Sequence, residues 1–359
     1  MTVHIFNPEH DIALASNLAN FTAPHAGRQL RHDLGFLPAL WAAAGDVVLV
    51  DDVELAKRAF EKVAYAMKQQ IGHLPCVNPR FTPCKPMVYP AETCALEPWG
   101  WNRAVKARLE RCGVGGDLLP TEAQLDMIRH LSHRRTSAQL LPRLQREGTV
   151  GEAFECHAVG EVEALSTRFG RIVMKAPWSS SGRGVRFTDF NTSNDEQKAN
   201  SHGWLRHVIE RQGSVMVEPL YDKVKDFGME FTCTPEGEIR YLGLSLFHTA
   251  NGAYTGNLLA TENTKRERLS RYVSIELLDA VQRDICALLS PVLKDNYAGP
   301  FGVDMMVVAG GRLHPCVEIN LRRTMGHVAL ALSPQDDDIV RVMRIDYENN
   351  NYKLKIQRL

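Results

Sequence analysis

No stretch of the 359-residue sequence is apolar for long enough to span a bilayer, so no membrane partner is expected. Charge of one sign is not in excess either: 42 Lys plus Arg balance 42 Asp plus Glu. A chain built to coat nucleic acid or an anionic surface carries surplus base, so no nucleic-acid partner is expected. The first residues lack a basic segment ahead of an apolar one. Glu9, His10 and Asp11 come early instead, and the chain reads as cytoplasmic. The eight cysteines contain no close pair of the C-x-x-C kind. In a long chain this pattern points to reduced thiols rather than a disulfide scaffold. Cys76, Cys84 and Cys94 share a Pro-rich stretch, residues 74–98, but their spacing argues against zinc. There is no Walker A loop, no G-x-G-x-x-G in a strand–helix setting, no internal repeat and no low-complexity tract.

What remains is an ordinary globular composition, 44% hydrophobic and 23% charged, in a chain long enough for two or three domains. Residues 3–6 and 47–50 read as buried strands, and residues 36–44 and 54–70 as helices. Strands alternating with helices predict a small α/β domain with a parallel sheet over residues 1–118. Residues 74–98 read as irregular, 101–111 as helix, and Thr121 to Gln124 as a capping box that opens another helix. The texture then becomes α+β. Strands are expected at 171–175 and 215–218. Two antiparallel hairpins are expected, one around residues 235–237 and one around 309–311, with an amphipathic helix at 275–293 between them.

Four segments carry chemistry. At 173–185 an apolar strand ends in Lys175 and runs into a loop of small residues, Ser179, Ser180, Ser181 and Gly182. Small side chains let backbone N–H groups approach a polyphosphate, and the lysine adds a point charge; a solvated hairpin turn is the competing reading. At 302–320 Asp304 lies on one strand, and Glu318 and Asn320 lie two apart on the next. Residues i and i+2 share a strand face, so the hairpin can gather two carboxylates and an amide oxygen, hard ligands that suit Mg²⁺. Arg322 and Arg323 follow directly and are placed to meet phosphoryl or carboxylate oxygens. Finally, Val217-Glu218-Pro219-Leu220 ends an apolar strand at a proline. Outside these, residues 7–11 (Asn-Pro-Glu-His-Asp) follow the first strand and form either a substrate loop or a helix-opening turn. His248 and residues 254–257 read as a loop near the pocket or on the surface, and Trp99 and Trp101 as packing.

Taken in this order, the segments resemble the ATP-grasp superfamily over residues 131–333. Lys175 to Val185 is similar to its phosphate-covering loop, and residues 215–220 to the hinge that holds adenine. The run Gly228-Met229-Glu230-Phe231 is similar to the strand after the hinge, and Asp304 with Glu318-Ile319-Asn320-Leu321-Arg322 to the metal-binding signature. Arg134 or Arg135 stands where the superfamily has a first basic residue near the phosphates. The loop is Ser-rich rather than Gly-rich, and Leu321 stands where proline is frequent.

The resemblance implies a Rossmann-like domain at 1–118 and a two-subdomain ATP-grasp domain at 119–340, with a lid subdomain at 140–214. It leaves 341–359 as a terminal strand packed on the grasp domain. It implies ATP and Mg²⁺, with Mn²⁺ as a substitute, and often a homodimer. Lys175, Arg134 or Arg135, and the loop at Ser179 to Gly182 would hold phosphates. Val217, Glu218 and Leu220 would hold the nucleoside, and Asp304, Glu318 and Asn320 the metal. Arg322, with Lys175, would act on the transferring group. The implied reaction activates a small-molecule carboxylate as an acyl phosphate, which an amine or thiol then attacks. A phosphotransferase on the same fold and a non-catalytic nucleotide-binding module remain alternatives. Substitution of Lys175 is expected to abolish turnover and leave the fold intact.

Overall fold

The computed structural model of the chain describes residues 1–72, 80–83, 95–179, 184–250 and 253–359. Four four-stranded sheets organise it. The first is parallel and holds β1 (Thr2–Ile5), β2 (Val47–Val50), β3 (Arg80–Pro83) and β4 (Ala95–Pro98) in the order β3-β2-β1-β4. Every residue of β2 is buried because both of its faces are covered. Val48 and Val50 join a core with Leu34 and Met67 from helices on one side. Val47 and Leu49 join Val105 and Leu109 on the other. Two expectations fail here. Residues 36–44 form only a 3-10 turn, Leu37–Leu40, and the stretch expected to be irregular supplies two strands. Each of those strands ends on a proline, which cannot extend a ladder as a donor.

The second sheet is antiparallel: β5 (Phe154–Cys156), β6 (Ile172–Lys175), β7 (Val185–Thr188) and β8 (Val215–Pro219), in the order β5-β8-β6-β7. The third contains β9 (Lys223–Cys233), β10 (Ile239–Ser245), β13 (Gly299–Val308) and β14 (Arg312–Asn320), in the order β10-β9-β13-β14. The helix Ile275–Leu293 backs it, burying Leu278, Val281, Ile285, Leu289 and Leu293 at three- and four-residue spacing. The fourth contains β11 (Phe247–Ala250), β12 (Ala253–Leu259), β15 (Arg341–Glu348) and β16 (Asn351–Arg358). The segment read as a loop at 254–257 is therefore strand. The terminal hairpin reaches back to the first third of the chain: Asp33 accepts from the Tyr352 amide at 2.7 Å, and Gln70 donates to Ile356 O at 3.1 Å.

The Thr121 capping box is present with Gln124. Cys112 is disulfide-bonded, which corrects the reduced-thiol expectation at that residue; Cys156, Cys233, Cys286 and Cys316 are free. Cys76, Cys84 and Cys94 lie outside the described residues. Among the described residues no helix is long and apolar enough to cross a membrane.

Candidate functional site

The β13–β14 hairpin turns at Gly310 and Gly311, whose φ values of 79° and 69° favour glycine. Its register sets Asp304 opposite Glu318 and Gly302 opposite Asn320. Alternation then puts Asp304, Glu318 and Asn320 on one face, while Val303, Met305 and Ile319 enter the core on the other. Asn320 Nδ2 donates to Asp304 at 3.2 Å. Burial, and then the neighbouring Glu318 and Glu230 carboxylates, push the Asp304 carboxyl up to about 8, against the pull of Arg322 and the Asn320 hydrogen bond.

Cationic side chains face this hairpin. Lys175 ends β6, and its Nζ lies 2.6 and 2.7 Å from the two carboxylate oxygens of Glu218 on β8. The register pairs Val173 with Glu218, and Val173 is two residues from Lys175, so the pair meets diagonally on one face. Both are buried. Arg134 donates to Ala176 O, to Ser179 Oγ at 2.9 Å and to Glu318 at 2.9 Å, which ties the lysine strand to the carboxylate hairpin. Arg135 turns away to Glu155 at 2.7 Å and to the His133 ring. It starts the helix Arg135–Leu144, where successive side chains diverge by about 100°. Of the two candidate arginines, Arg134 is the one in the site. Burial chiefly pushes the Cys316 thiol on β14 up to about 12, and the charges of Asp304, Glu218 and Glu318 add to the rise.

Arg322 is held firmly. Its Nε and Nη2 each donate to Asp11 at 2.8 Å, Nη2 also donates to Asn320 Oδ1 at 2.9 Å, and Nη1 donates to Arg323 O at 3.1 Å. Arg322 in turn holds the Asp11 carboxyl below the usual range even though burial opposes it. Of the two readings of the 7–11 segment, the structure shows the helix-opening turn. Asp11 sits in the first turn of the helix His10–Ser16, and its side chain enters the site. Because Asn320 shows its oxygen to Arg322 and its nitrogen to Asp304, the two carboxylates are the oxygen ligands presented together. A half-turn of the amide would add the third.

Glu230 escaped the sequence reading. It is 2% exposed on β9, opposite Gly302, and so belongs to the same face. Thr324 Oγ1 donates to it at 2.8 Å and His327 Nδ1 lies 3.0 Å away. A Cβ on Gly326 would stand 1.8 Å from its Oε1, so only glycine admits the carboxylate here. The signal was the run Gly228 to Phe231, which contains the one acid in an otherwise apolar stretch. His327 Nε2 also donates to Phe231 O at 3.2 Å. A carbonyl only accepts, so Nε2 carries a proton.

Other expectations land elsewhere. Ser180, Ser181 and Gly182, the middle of the phosphate-covering loop, lie outside the described residues. The Val217 side chain is fully buried in the core of the second sheet, and the Leu220 amide already donates to Arg171 O at 3.0 Å, so that backbone donor is taken. Among the described residues no three His, Cys, Asp or Glu side chains gather as a metal centre. Two carboxylates with an amide fit Mg²⁺, which takes few protein oxygens and completes its shell from phosphate and water. The mutual repulsion that raises Asp304 is what a divalent cation relieves.

No protein-family model matches the sequence, and no curated protein matches it. Solved structures do. N5-carboxyaminoimidazole ribonucleotide synthetase from Thermus thermophilus is 12% identical, with a TM-score of 0.50 over 96% of this chain and 83% of that one. The biotin carboxylase domain of 2-oxoglutarate carboxylase from Hydrogenobacter thermophilus, solved with MgADP, ADP and bicarbonate, is 13% identical. Its TM-score is 0.47 over 62% of this chain and 51% of that one, so this chain spans about half of its length. L-amino acid ligase from Bacillus licheniformis is 14% identical, with a TM-score of 0.42 over 76% of this chain and 70% of that one. At such identities the likeness concerns the fold.

Proposed function

The chain has the ATP-grasp fold, and from that premise we propose that it is an ATP- and Mg²⁺-dependent, ADP-forming ligase. It would activate a small-molecule carboxylate as an acyl phosphate for attack by an amine or thiol. The observation that carries this reading is the convergence of Asp304 and Glu318 with Arg134, next to the Lys175–Glu218 pair.

Asp304 and Glu318, with Asn320, would hold Mg²⁺, which when bound neutralises charge building on the transferring phosphoryl group. Lys175 and Arg134 supply fixed donors to the phosphate oxygens. Glu218 and Glu318 hold them in place, so little reorganisation is needed when charge moves. Arg322, clamped by Asp11, is a fixed positive charge beside the carboxylates that steadies the acyl-phosphate oxygens. Glu230, Thr324 and His327 fix the floor beneath Asp304. A solved neighbour of similar fold is called a synthetase, which fits this choice of chemistry.

The test is a phosphate-release screen with ATP and Mg²⁺ over pools of small acids, amines and thiols, with Asp304→Asn as the blank. ADP and phosphate should appear only when both an acid and a nucleophile are present. AMP and pyrophosphate would sink the proposal. A stable phosphorylated product formed without a nucleophile would make the chain a kinase instead.

A further inference from the structure

We propose that the carboxyl end of the first, parallel sheet is a separate anion-binding site. There an oxyanion, phosphate or carboxylate, at the far end of the non-nucleotide substrate is anchored by Arg28 and Arg111. Calling that ligand the substrate rests on the ligase reading; the site itself does not.

A cavity of about 470 Å³ opens there, of a size suited to a small molecule. Asn7 and Glu9 line it from beyond β1, Asp51 from beyond β2 and Pro83 from the end of β3. Asn102 and the helix Arg103–Arg111, which follow β4, close it. In sheets of this kind ligands bind outside the carboxyl ends of the strands, where the strand order reverses. The order β3-β2-β1-β4 reverses at β1, whose end supplies Asn7 and Glu9.

The charge of the cavity is unbalanced. Four arginines, Arg28, Arg31, Arg108 and Arg111, line the cavity beside two acids, Glu9 and Asp51. Asp51 and Glu9 hold Arg31, and Asp51 holds Arg108 at 2.6 Å, which accounts for both acids. Arg28 donates to Ala23 O at 3.0 Å, and among the described residues neither it nor Arg111 has an ion pair. Both are solvent-exposed, and together they leave two guanidinium forks open to an oxyanion.

The cavity also borders the phosphoryl site. Asn7 and Glu9 line the cavity, and the next residues, His10 and Asp11, line the cleft that holds Glu318 and Asn320. Asn102, on the cavity side, lies 3.1 Å from His10 Nδ1. A substrate anchored by its tail at Arg28 and Arg111 would direct its reacting carboxylate past His10.

The experiment is calorimetric titration of inorganic phosphate, and separately of succinate, into the full chain, with and without Mg²⁺ and a non-hydrolysable ATP analogue. One or both anions should bind saturably. Arg28→Gln/Arg111→Gln should weaken that binding about tenfold or more, and Arg28→Lys/Arg111→Lys should weaken it less. Tighter phosphate assigns a phosphorylated tail, and tighter succinate a dicarboxylate. Failure of both anions to saturate, or equal affinity in the glutamine pair, overturns the proposal. If the analogue fails to bind while the anion titration still depends on Arg28 and Arg111, the pocket stands and the ligase reading falls. If the analogue binds and the anion response is absent, the reverse holds.

Discussion

Asp304→Asn should make the nucleotide-free protein more stable at pH 8 than the wild type, even though it removes a proposed metal ligand. The carboxyl is held at about 8 against an ordinary value of 3.8. The sign follows from linkage. Between about pH 4 and pH 8 the native state keeps a proton that the unfolded chain has released, so native stability falls as pH rises through that window. At about 1.36 kcal/mol for each pH unit between 3.8 and about 8, the cost has a ceiling of roughly 6 kcal/mol. Side-chain rotation and water entry relieve part of this, which leaves a working figure of about 2–4 kcal/mol. Asparagine does not ionise and escapes the cost. At roughly 2 °C per kcal/mol for a chain of this size, the variant should melt about 4–8 °C higher at pH 8 and within a degree or two at pH 5. Calorimetric melts with a chelator at both pH values measure this. Adding Mg²⁺ with an ATP analogue should then stabilise the wild type and not the variant. A variant that melts no higher than wild type at pH 8, or a gap that does not widen with pH, would refute the electrostatic account of the site.

Lys175→Ala should do more than stop turnover. It strands the buried Glu218 carboxylate, so we expect about 3–5 kcal/mol of destabilisation in a denaturant titration, against the sequence-based expectation of an intact fold. Lys175→Met combined with Glu218→Gln should recover most of that stability while remaining inactive; no recovery would mean the pair is not the cause. Gly326→Ala should cost about 3 kcal/mol or more and lower the midpoint of the same titration, because the new Cβ meets Glu230. Burial holds His10, His133 and His314 at about 4, 3 and 4, so all three are neutral in the fold. Their unfolded forms take up protons first, so stability is full above about pH 6.5 and falls from there towards pH 4. Measured in Asp304→Asn, which removes the opposing carboxyl titration, a melting temperature that stays flat over that range would count against their neutral burial.

The hairpins, the helix Ile275–Leu293 and the Thr121 cap were legible because each is written in neighbouring residues. Two glycines turn β13 into β14, and alternation then puts Asp304, Glu318 and Asn320 on one face without any knowledge of the rest of the chain. The choice between Arg134 and Arg135 was not legible. It depends on where the helix Arg135–Leu144 begins, and element boundaries are the weakest part of a pattern reading. β3 and β4 were hidden by the prolines that end them.

The partners that complete the site were hidden for a different reason. Asp11 grips Arg322 across 311 residues of sequence, and Glu230 meets Thr324 across 94. Nothing in a local period says which distant strands will lie side by side. The same limit explains why Arg322 was legible as a site residue while its partner was not. Its charge was visible, but the carboxylate that fixes it comes from the helix after β1, and the chain just past β14 is tied to the end of β4 by Arg323, whose amide donates to Trp99 O and whose guanidinium donates to Glu97. That placement has a chemical consequence. With three of its nitrogens committed, Arg322 acts as a rigid charge rather than a mobile hand, and it draws Asp304 down while Glu318 and Glu230 drive it up. Asp11→Asn should therefore leave the hairpin folded but weaken the binding of Mg²⁺ with an ATP analogue by about tenfold, through the freed arginine. Unchanged affinity in that variant would show that the clamp is structural and the site complete without it.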